Sequence, residues 1–330
     1  MQIVNKRIRK IARRLNGPYL ALTALLIVCT FTSEVFFTVP NLLNITRQVS
    51  YSGIIALGMT FVIVAGGIDL SVGSLFALAG VSAALAIQHW SLPLSVKLGL
   101  SLEITGVIIG LLAAMLSAIA GTVANALIIV YGKLPPFIAT LGTLSIFRSL
   151  ALFSAASGTL SVDNNALKSI GTAQIFGIPL PAVVMLFLVV IFEFILSATV
   201  FGRHVCALGS NERVARFAGI RVNAVKFITY ILPGLCIGIS AFMFLTRLGS
   251  VSSSDAGMSY ELDAIAAVII GGASMSGGRG SLRGTLAGIL ILGVVSNILD
   301  LWGVSANLKG VVKGLVIIVS VLIQRKEKTS

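Results

Sequence analysis

The sequence has little charge, little cysteine and little histidine, and each scarcity excludes a class of protein. Only 11% of its 330 residues are charged, whereas 57% are hydrophobic and the mean hydropathy is +1.04. A soluble domain could not bury that much apolar surface, so we expect a membrane protein built from apolar spans of roughly 20 residues. Three dispersed cysteines without a C-x-x-C pair and two isolated histidines predict neither a disulfide framework nor a metal site.

The sequence also lacks the motifs of an enzyme that hydrolyses nucleotide. No G-x-x-x-x-G-K-[ST] run occurs, because the glycine-rich segment GGASMSGGRGS at 271–281 is not followed by Lys and Ser or Thr. No catalytic carboxylate pair and no Ser-His-Asp set can be identified. We therefore expect a chain that catalyses nothing by itself and takes no cofactor.

Positive charge is concentrated before the first apolar segment. The net charge is +13, and six of the 24 basic residues lie among the first 14. In a soluble chain this would indicate nucleic-acid binding, but the position favours a cytoplasmic lead that sets topology by the positive-inside rule. We expect a basic lead at 1–17, one transmembrane domain at 18–324 and a cytoplasmic tail at 325–330, with no nucleic-acid partner.

The apolar runs predict an all-α, polytopic membrane helix bundle of about ten spans with both termini in the cytoplasm. The predicted spans are 18–38, 51–67, 71–88, 95–120, 135–155, 178–199, 225–246, 261–275, 284–301 and 306–324. This arrangement leaves most basic residues on the cytoplasmic side. The stretch 95–131 is too long for one upright helix, so it must tilt, break near Gly121 or leave a piece at the interface.

Two glycine-rich segments are similar to each other. GGIDLSVG at 66–73 and GGASMSGG at 271–278 share the pattern GG-x-x-x-S-x-G at an offset of 205. Glycine-rich breaks at matching places in two halves of a transporter indicate its central pathway. The candidate pathway residues are Gly66, Gly67, Asp69, Ser71, Gly73, Ser74, Glu261, Asp263, Gly271, Gly272 and Ser276.

Asp69 stands out because a carboxylate facing lipid would cost several kcal/mol. Either it caps a helix that starts at Leu70 or Ser71 by accepting backbone N–H bonds, or it contacts substrate directly. Three other charged residues in apolar runs are expected to face the bundle interior beside polar neighbours: Glu103, Arg148 and Glu193.

The predicted cytoplasmic loop at 201–226 contains a short amphipathic helix. Asn211 is the expected N-cap and Gly219 the expected C-cap, so that ERVARFAGI forms about two turns. Val214, Phe217 and Ala218 share its apolar face. On pattern alone this face either docks into a groove on a partner or rests on lipid headgroups.

Several segments together resemble the ribose-type permeases of bacterial sugar ABC importers, from about Phe36 to the carboxyl end. They are ALGMTFVIVAGGIDLSVGSLFALAGV, PPFIATLGTL, FGRHVCALGSNERVARFAGIRVNAVKF, SYELDAIAAVIIGGASMSGGRGSLRGTLAGILILG and LKGVVKGLVIIVSVLIQRK. Small departures are GSN at 209–211, where GGN is usual, the paired prolines at 135–136, and ERVAR after Asn211.

The resemblance implies a homodimer of permeases, a cytoplasmic ATPase with two fused nucleotide-binding domains, and a periplasmic sugar-binding protein. It also implies that the loop helix couples the permease to the ATPase, which favours docking. The residues that match this coupling segment are Gly209, Asn211, Glu212, Arg213, Val214, Phe217, Ala218, Gly219 and Ile220.

We therefore expect a multi-pass permease of the bacterial inner membrane that imports ribose or a related monosaccharide. An autoinducer-2 permease of the same family is one alternative. A stand-alone transporter coupled to protons through Asp69, Glu103 or Glu193 is another, and a membrane-bound structural or receptor protein is a third. The sequence leaves open which sugar is carried and whether the dimer contains two identical chains or a paralogue.

Overall fold

The computed structural model describes residues 2–305, 308–316 and 318, with side chains from residue 17 onward. The helices of this part are α1 (Gln2–Thr32), α2 (Val39–Val64), α3 (Val72–Leu98), α4 (Leu102–Val130), α5 (Pro136–Ser154), α6 (Asn165–Thr172), α7 (Leu180–Ala198), α8 (Val200–Ser210), α9 (Glu212–Phe217), α10 (Val222–Leu248), α11 (Tyr260–Ile270) and α12 (Leu282–Leu301). The strands are β1 (Thr159–Ser161), β2 (Gln174–Ile175), β3 (Ile178–Pro179) and β4 (Ser250–Ser252). Residues 308–316 are also helical.

Seven helices of the described part are long and apolar enough to cross a membrane. They are α2, α3, α4, α5, α7, α10 and α12. The apolar part of α1, Gly17–Thr32, is shorter. The all-α, polytopic class is therefore confirmed, with seven full-length spans among the described residues. The expected count of ten spans and the cytoplasmic location of both termini are not confirmed. The tenth expected span, 306–324, is described only at 308–316 and 318, and the tail at 325–330 lies outside the described residues, as do the side chains of 1–16.

Several expected span boundaries differ in the structure. The span expected at 51–67 belongs to α2, which begins at Val39, and the span expected at 71–88 belongs to α3, which extends to Leu98. The span expected at 261–275 is the 11-residue helix α11, which ends at Ile270 because Gly271 and Gly272 turn the chain, the latter with φ +90°. The long run at 95–131 divides at Gly99, which ends α3 in the left-handed conformation. Helix α4 then continues through Gly121, so the break near that residue, one of the three alternatives, does not occur, and Gly121 packs against Leu75 of α3.

Most helix boundaries follow from local sequence. Proline occupies the first or second position of α2, α5 and α7, where its missing N–H is not needed. At other starts a side-chain oxygen accepts a backbone N–H bond and satisfies one of the free donors of the first turn. The residues that cap in this way are Ser101, Asn164, Thr199, Asn211 and Ser281.

Helix α2 is the central element, and the helices around it approach closely through glycine. The most apolar window of α2 is 83% buried. On neighbouring α10, a Cβ at Gly234 would overlap Thr122 of α4, and one at Gly238 would lie 2.9 Å from the Met115 Cα. Small residues at such contacts let helix backbones pack closely where lipid offers no hydrophobic driving force.

At one end of the bundle, β1 pairs with β4 in an antiparallel register that places Leu160 opposite Val251. Arg148, near the end of α5, donates from Nη1 to the carbonyl oxygens of Ser253, Ser254 and Ala256 at 2.9–3.1 Å. Arg148 is half-buried, and its polar partners are backbone carbonyls of the loop after β4. It therefore holds that loop against the bundle.

Replacing Gly234 by leucine is expected to destabilise the fold by about 1–3 kcal/mol, because the added side chain would force α10 away from α4. Thermal unfolding of the detergent-purified chain measures the effect. The matched control is Gly142→Leu in α5, where an added Cβ meets nothing within 4 Å. Equal losses of stability in the two variants would contradict the close packing described above.

Candidate functional site

The first glycine-rich segment forms a break between α2 and α3. Helix α2 closes with hydrogen bonds from the Gly66 N–H to the Ile63 carbonyl (2.9 Å) and from the Gly67 N–H to the Val62 carbonyl (2.8 Å). Gly66 has φ +85°, a conformation that glycine adopts without a steric penalty. Residues 65–71 then run without helical structure to the start of α3.

Asp69 lies fully buried in this break and is held by hydrogen-bond donors on both carboxylate oxygens. Oδ1 accepts from the backbone N–H of Ser71 at 2.8 Å and from its hydroxyl at 2.7 Å. Oδ2 accepts from the Asn125 side-chain amide at 3.3 Å, and that amide also donates to the Ser71 hydroxyl at 2.8 Å. The Ser74 hydroxyl donates to the Ser71 carbonyl at 2.8 Å. Asp69 therefore organises the start of α3.

This geometry matches the capping alternative only in part: Asp69 accepts a backbone N–H bond, but it does not cap the helix itself. The N-cap residue of α3 is Ser71, two residues after Asp69. The carboxylate accepts the Ser71 N–H instead of an N–H inside the helix. The side chain of Asn125 on α4 was not anticipated, because a single amide in an apolar run 56 residues away gives no local signal.

The second glycine-rich segment, between α11 and α12, repeats the turn of the first. The Gly272 N–H donates to the Ile269 carbonyl (2.8 Å) and the Ala273 N–H to the Val268 carbonyl (3.1 Å), as Gly66 and Gly67 do after α2. Gly272, with φ +90°, therefore corresponds to Gly66. Gly66 and Gly272 are 206 residues apart, whereas the shared sequence pattern aligned residues 205 apart. A sequence pattern does not show which glycine of a pair has the left-handed conformation.

The two breaks meet each other directly. The Gly278 N–H donates to the Val64 carbonyl at 2.7 Å, so the last carbonyl of α2 is satisfied by the other break. A Cβ on Gly277 would lie 2.9 Å from the Cα of Gly66.

Three other expected pathway residues lie near this contact. Gly67 lies against the Tyr230 hydroxyl, Gly271 packs on the backbone of α12, and Ser276 is exposed in the second break.

A fourth glycine, from the connecting helix α8, completes this contact. A Cβ on Gly209, near the end of α8, would overlap the Val64 carbonyl and come within 2.5 Å of the Gly278 nitrogen. A Cβ on Gly277 would likewise lie 2.9 Å from the Gly209 Cα. We call the contact of Gly66, Gly209, Gly277 and Gly278 the glycine junction. Its backbones approach so closely that no side chain fits between them.

The short helix α9 begins three residues after Gly209, at Glu212. The Asn211 side chain accepts the Val214 N–H at 3.1 Å, so the expected N-cap is confirmed. The C-cap is Ala218, one residue before the expected Gly219, which follows with φ +78°. Ala215 faces the protein, whereas Val214 is 61% exposed and Phe217 is 91% exposed. Arg213 and Ala218 are also exposed, and Ile220 packs partly against the core. Helix α9 thus presents an apolar face that nothing in the described chain covers.

Glu212 fastens α9 to the base of α10. Its carboxylate binds the Lys226 ammonium at 2.6 Å and the Arg216 guanidinium at 3.1 Å. The hydrogen bond from Lys226, followed by the charges of Lys226 and Arg216, holds the pKa of the Glu212 carboxyl below its usual range. Glu212 lies on the polar side of α9. Because its partner Lys226 belongs to α10, the ion pair also orients α9 relative to α10.

The remaining pathway candidates lie at the opposite end of α11. A Cβ on Gly73 would overlap the Glu261 carboxylate and the Gly257 carbonyl, so Gly73 admits the first turn of α11 against α3. Asp263, two residues on, accepts hydrogen bonds from the Lys313 ammonium at 2.8 and 3.0 Å. The predicted pathway residues therefore form two groups, one at the glycine junction and one where α11 begins.

Glu193 and Glu103 lie in different places from Asp69. The Glu193 carboxylate accepts the backbone N–H groups of Leu282 and Arg283 at 2.8 and 3.4 Å, and so binds the free donors at the start of α12. Glu103 is exposed in the first turn of α4, where it accepts from the Asn165 amide at 3.0 Å. Only Glu193 therefore faces the interior as expected, while Glu103 lies on the surface because it belongs to an exposed helix start.

Comparisons with known proteins match nearly the whole described chain. Residues 41–321 match the family model described as branched-chain amino acid transport system / permease component. The chain is 42% identical to the ribose import permease protein RbsC of Bacillus subtilis (strain 168) over 94% of this chain and 92% of the relative. It is 37% identical to RbsC of Escherichia coli (strain K12), over 94% and 93% of the two chains. It is 33% identical to the L-arabinose transport system permease protein AraH of that strain, over 94% and 90%.

These matches confirm the resemblance that the sequence motifs indicated. The family model covers both glycine breaks, α8, α9 and all seven of the long apolar helices except the first two residues of α2. The chain is a multi-pass membrane protein and belongs to the family of transport-system permease components.

Proposed function

We propose that the chain is the membrane-spanning permease subunit of an ATP-binding-cassette importer, which carries ribose or a related monosaccharide across the bacterial inner membrane by alternating access. The names of its relatives, which refer to ribose and L-arabinose, support this substrate class. The observation that carries the mechanism is the glycine junction, where the segment before α9 touches both breaks.

In this proposal, two copies of the chain enclose the pathway, and a cytoplasmic ATPase with two fused nucleotide-binding domains docks on α9. A periplasmic sugar-binding protein delivers the ligand at the opposite end. The exposed apolar side chains of Val214 and Phe217 would fill a groove on the ATPase, since a helix with one uncovered apolar face suits such a groove. Glu212, bound to Lys226, would keep α9 at a fixed angle to α10.

ATP-driven movement of α9 would then reach the pathway through backbone contacts. Gly209 touches the Val64 carbonyl and Gly278, so a shift of α8 would move the ends of α2 and of the second break together. Asp69, Ser71 and Asn125 would hold the start of α3 while this happens. The pathway residues at the junction and at the start of α11 are proposed to line successive parts of the same route.

A proton-coupled transporter is less well supported by the geometry. Asp69, Glu103 and Glu193 are separate from one another, and each accepts hydrogen bonds that stabilise a helix start or a neighbouring loop. A proton relay needs titratable groups that exchange protons along a path. An ATP-driven importer should need ATP and tolerate loss of the proton gradient, whereas a proton-coupled transporter should need the gradient and tolerate loss of ATP.

We expect sugar uptake into proteoliposomes that contain the permease, its ATPase and the binding protein to require ATP on the ATPase side. Uptake should persist when a protonophore collapses the proton gradient, because the proposed driving force is nucleotide hydrolysis. Radiolabelled ribose and arabinose measure uptake. Transport that stops with the protonophore and continues without ATP would support the proton-coupled class instead.

Replacing Phe217 by aspartate is expected to weaken ATPase docking without disturbing the fold, because this side chain is 91% exposed. Loss of a buried aromatic anchor at an interface typically costs about 2 kcal/mol or more, or roughly 30-fold in affinity. Co-purification of the ATPase with the permease measures docking. The control is Phe176→Asp, a 99% exposed phenylalanine in the β2–β3 hairpin. Unchanged co-purification of the Phe217 variant would exclude α9 as the docking element.

The proposed topology puts α9 in the cytoplasm and α6 outside. Single cysteines are introduced at Asn165 or Ser210 of a cysteine-free variant of the protein, and intact cells are treated with a membrane-impermeant thiol reagent. The cysteine at position 165 should react in intact cells, while the one at position 210 should react only after the cells are opened. Asn165 is exposed at the start of α6, and Ser210 ends α8. The reverse labelling pattern would invert the orientation of the bundle.

A further inference from the structure

A cavity of about 770 Å³ opens at the end of the bundle away from the glycine junction. It lies between the first half of α2, the end of α10, the start of α11, the end of α12 and the helical residues 308–316. Ser52, on its wall, precedes Val64 by 12 residues, which is about 18 Å along α2. The cavity is therefore separate from the coupling contact.

The charges around this cavity are unbalanced. Its lining includes four basic side chains and two carboxylates: Arg47, Arg247, Lys309, Lys313, Asp263 and Asp300. Each carboxylate is bound by a lysine, Asp263 by Lys313 and Asp300 by Lys309. No carboxylate of the described residues lies within 4 Å of a nitrogen of either arginine. Two guanidinium charges thus remain without a counter-charge in the described chain.

The cavity also contains buried hydrogen-bond donors that lack acceptors. The Arg47 Nε and the Tyr51 hydroxyl are both inaccessible and have no partner among the described residues. Tyr51 is only 6% exposed, and its ring is fixed edge-on against Phe244 with 5.5 Å between the ring centroids. A buried donor without an acceptor is destabilising. Both atoms are closed to solvent as the side chains stand, so a ligand that supplies acceptor oxygens would reach them only after a small shift of Arg47 and Tyr51.

We propose that this cavity binds an anionic phosphate group between Arg47, Arg247 and the Tyr51 hydroxyl. Guanidinium groups match the geometry of phosphate oxygens and pair with them in two parallel hydrogen bonds. A neutral sugar would not neutralise the two arginines. The anion site therefore uses other residues of this cavity than Asp263, which belongs to the proposed sugar pathway and is already bound by Lys313. The phosphate comes either from a phospholipid headgroup, at the level of the helix ends, or from a free anion.

Binding is tested on the full-length chain purified in a maltoside detergent, by thermal unfolding with added inorganic phosphate or with added phosphatidylglycerol. We expect at least one of them to raise the Tm of the wild type in a saturable manner. A response to inorganic phosphate identifies a free anion as the source, and a response to phosphatidylglycerol alone identifies a headgroup. No response to either overturns the proposal and leaves the transport function untouched.

The variants are Arg247→Gln, an exposed side chain whose loss should not impair folding, and Tyr51→Phe, which removes only the hydroxyl. Each should weaken the apparent affinity about 10-fold or more, and Arg247→Lys should restore part of it because the charge is kept. The control is Lys97→Gln, which removes one exposed positive charge at the end of α3. Equal affinity in Arg247→Gln, Tyr51→Phe and the control would show that general charge attraction accounts for the effect and would overturn the site.

Discussion

Every interruption of a helix in this protein must satisfy its backbone polar groups without water, and this constraint determines the arrangement of the glycine breaks. In a bilayer, free N–H and C=O groups are tolerated only where protein or a polar cavity supplies partners. The last carbonyl of α2, that of Val64, receives its hydrogen bond from Gly278 of the other break. At the start of α3, Asp69 supplies the acceptor for the Ser71 N–H. The two breaks are stable because a backbone group of one break bonds to the helix end beside the other, and because the buried Asp69 carboxylate accepts a further backbone N–H.

The same constraint explains why charged side chains lie where they do. Glu193 accepts the first N–H groups of α12, and Arg148 donates to three loop carbonyls near β4. Both satisfy backbone groups that a helix end or a loop leaves free. Asp69, Glu193 and Arg148 therefore all serve the irregular backbone between or beside the long apolar helices.

Local signals in the sequence predicted local structure well. Asn211 and Gly219 mark the ends of α9 because caps depend on the chemistry of one or two residues, and the pairing of the glycine breaks follows from a repeated pattern. The length of α11 was overestimated, because its apolar run hides the point at which Gly272 turns the chain. Asn125 beside Asp69 could not be predicted, because a contact between residues 56 positions apart depends on how α3 packs on α4.

The position of Gly209 has a mechanical consequence. Only Ser210 and Asn211 separate it from the first residue of α9, and both belong to ordered, hydrogen-bonded structure, since Asn211 caps α9 and the Ser210 hydroxyl donates to the Cys206 carbonyl. Because this linkage is short and ordered, α9 and Gly209 have little freedom to move independently. In the proposed mechanism, a load on Phe217 would therefore reach the backbone of both breaks through Gly209, because Gly209 contacts the Val64 carbonyl and Gly278 directly.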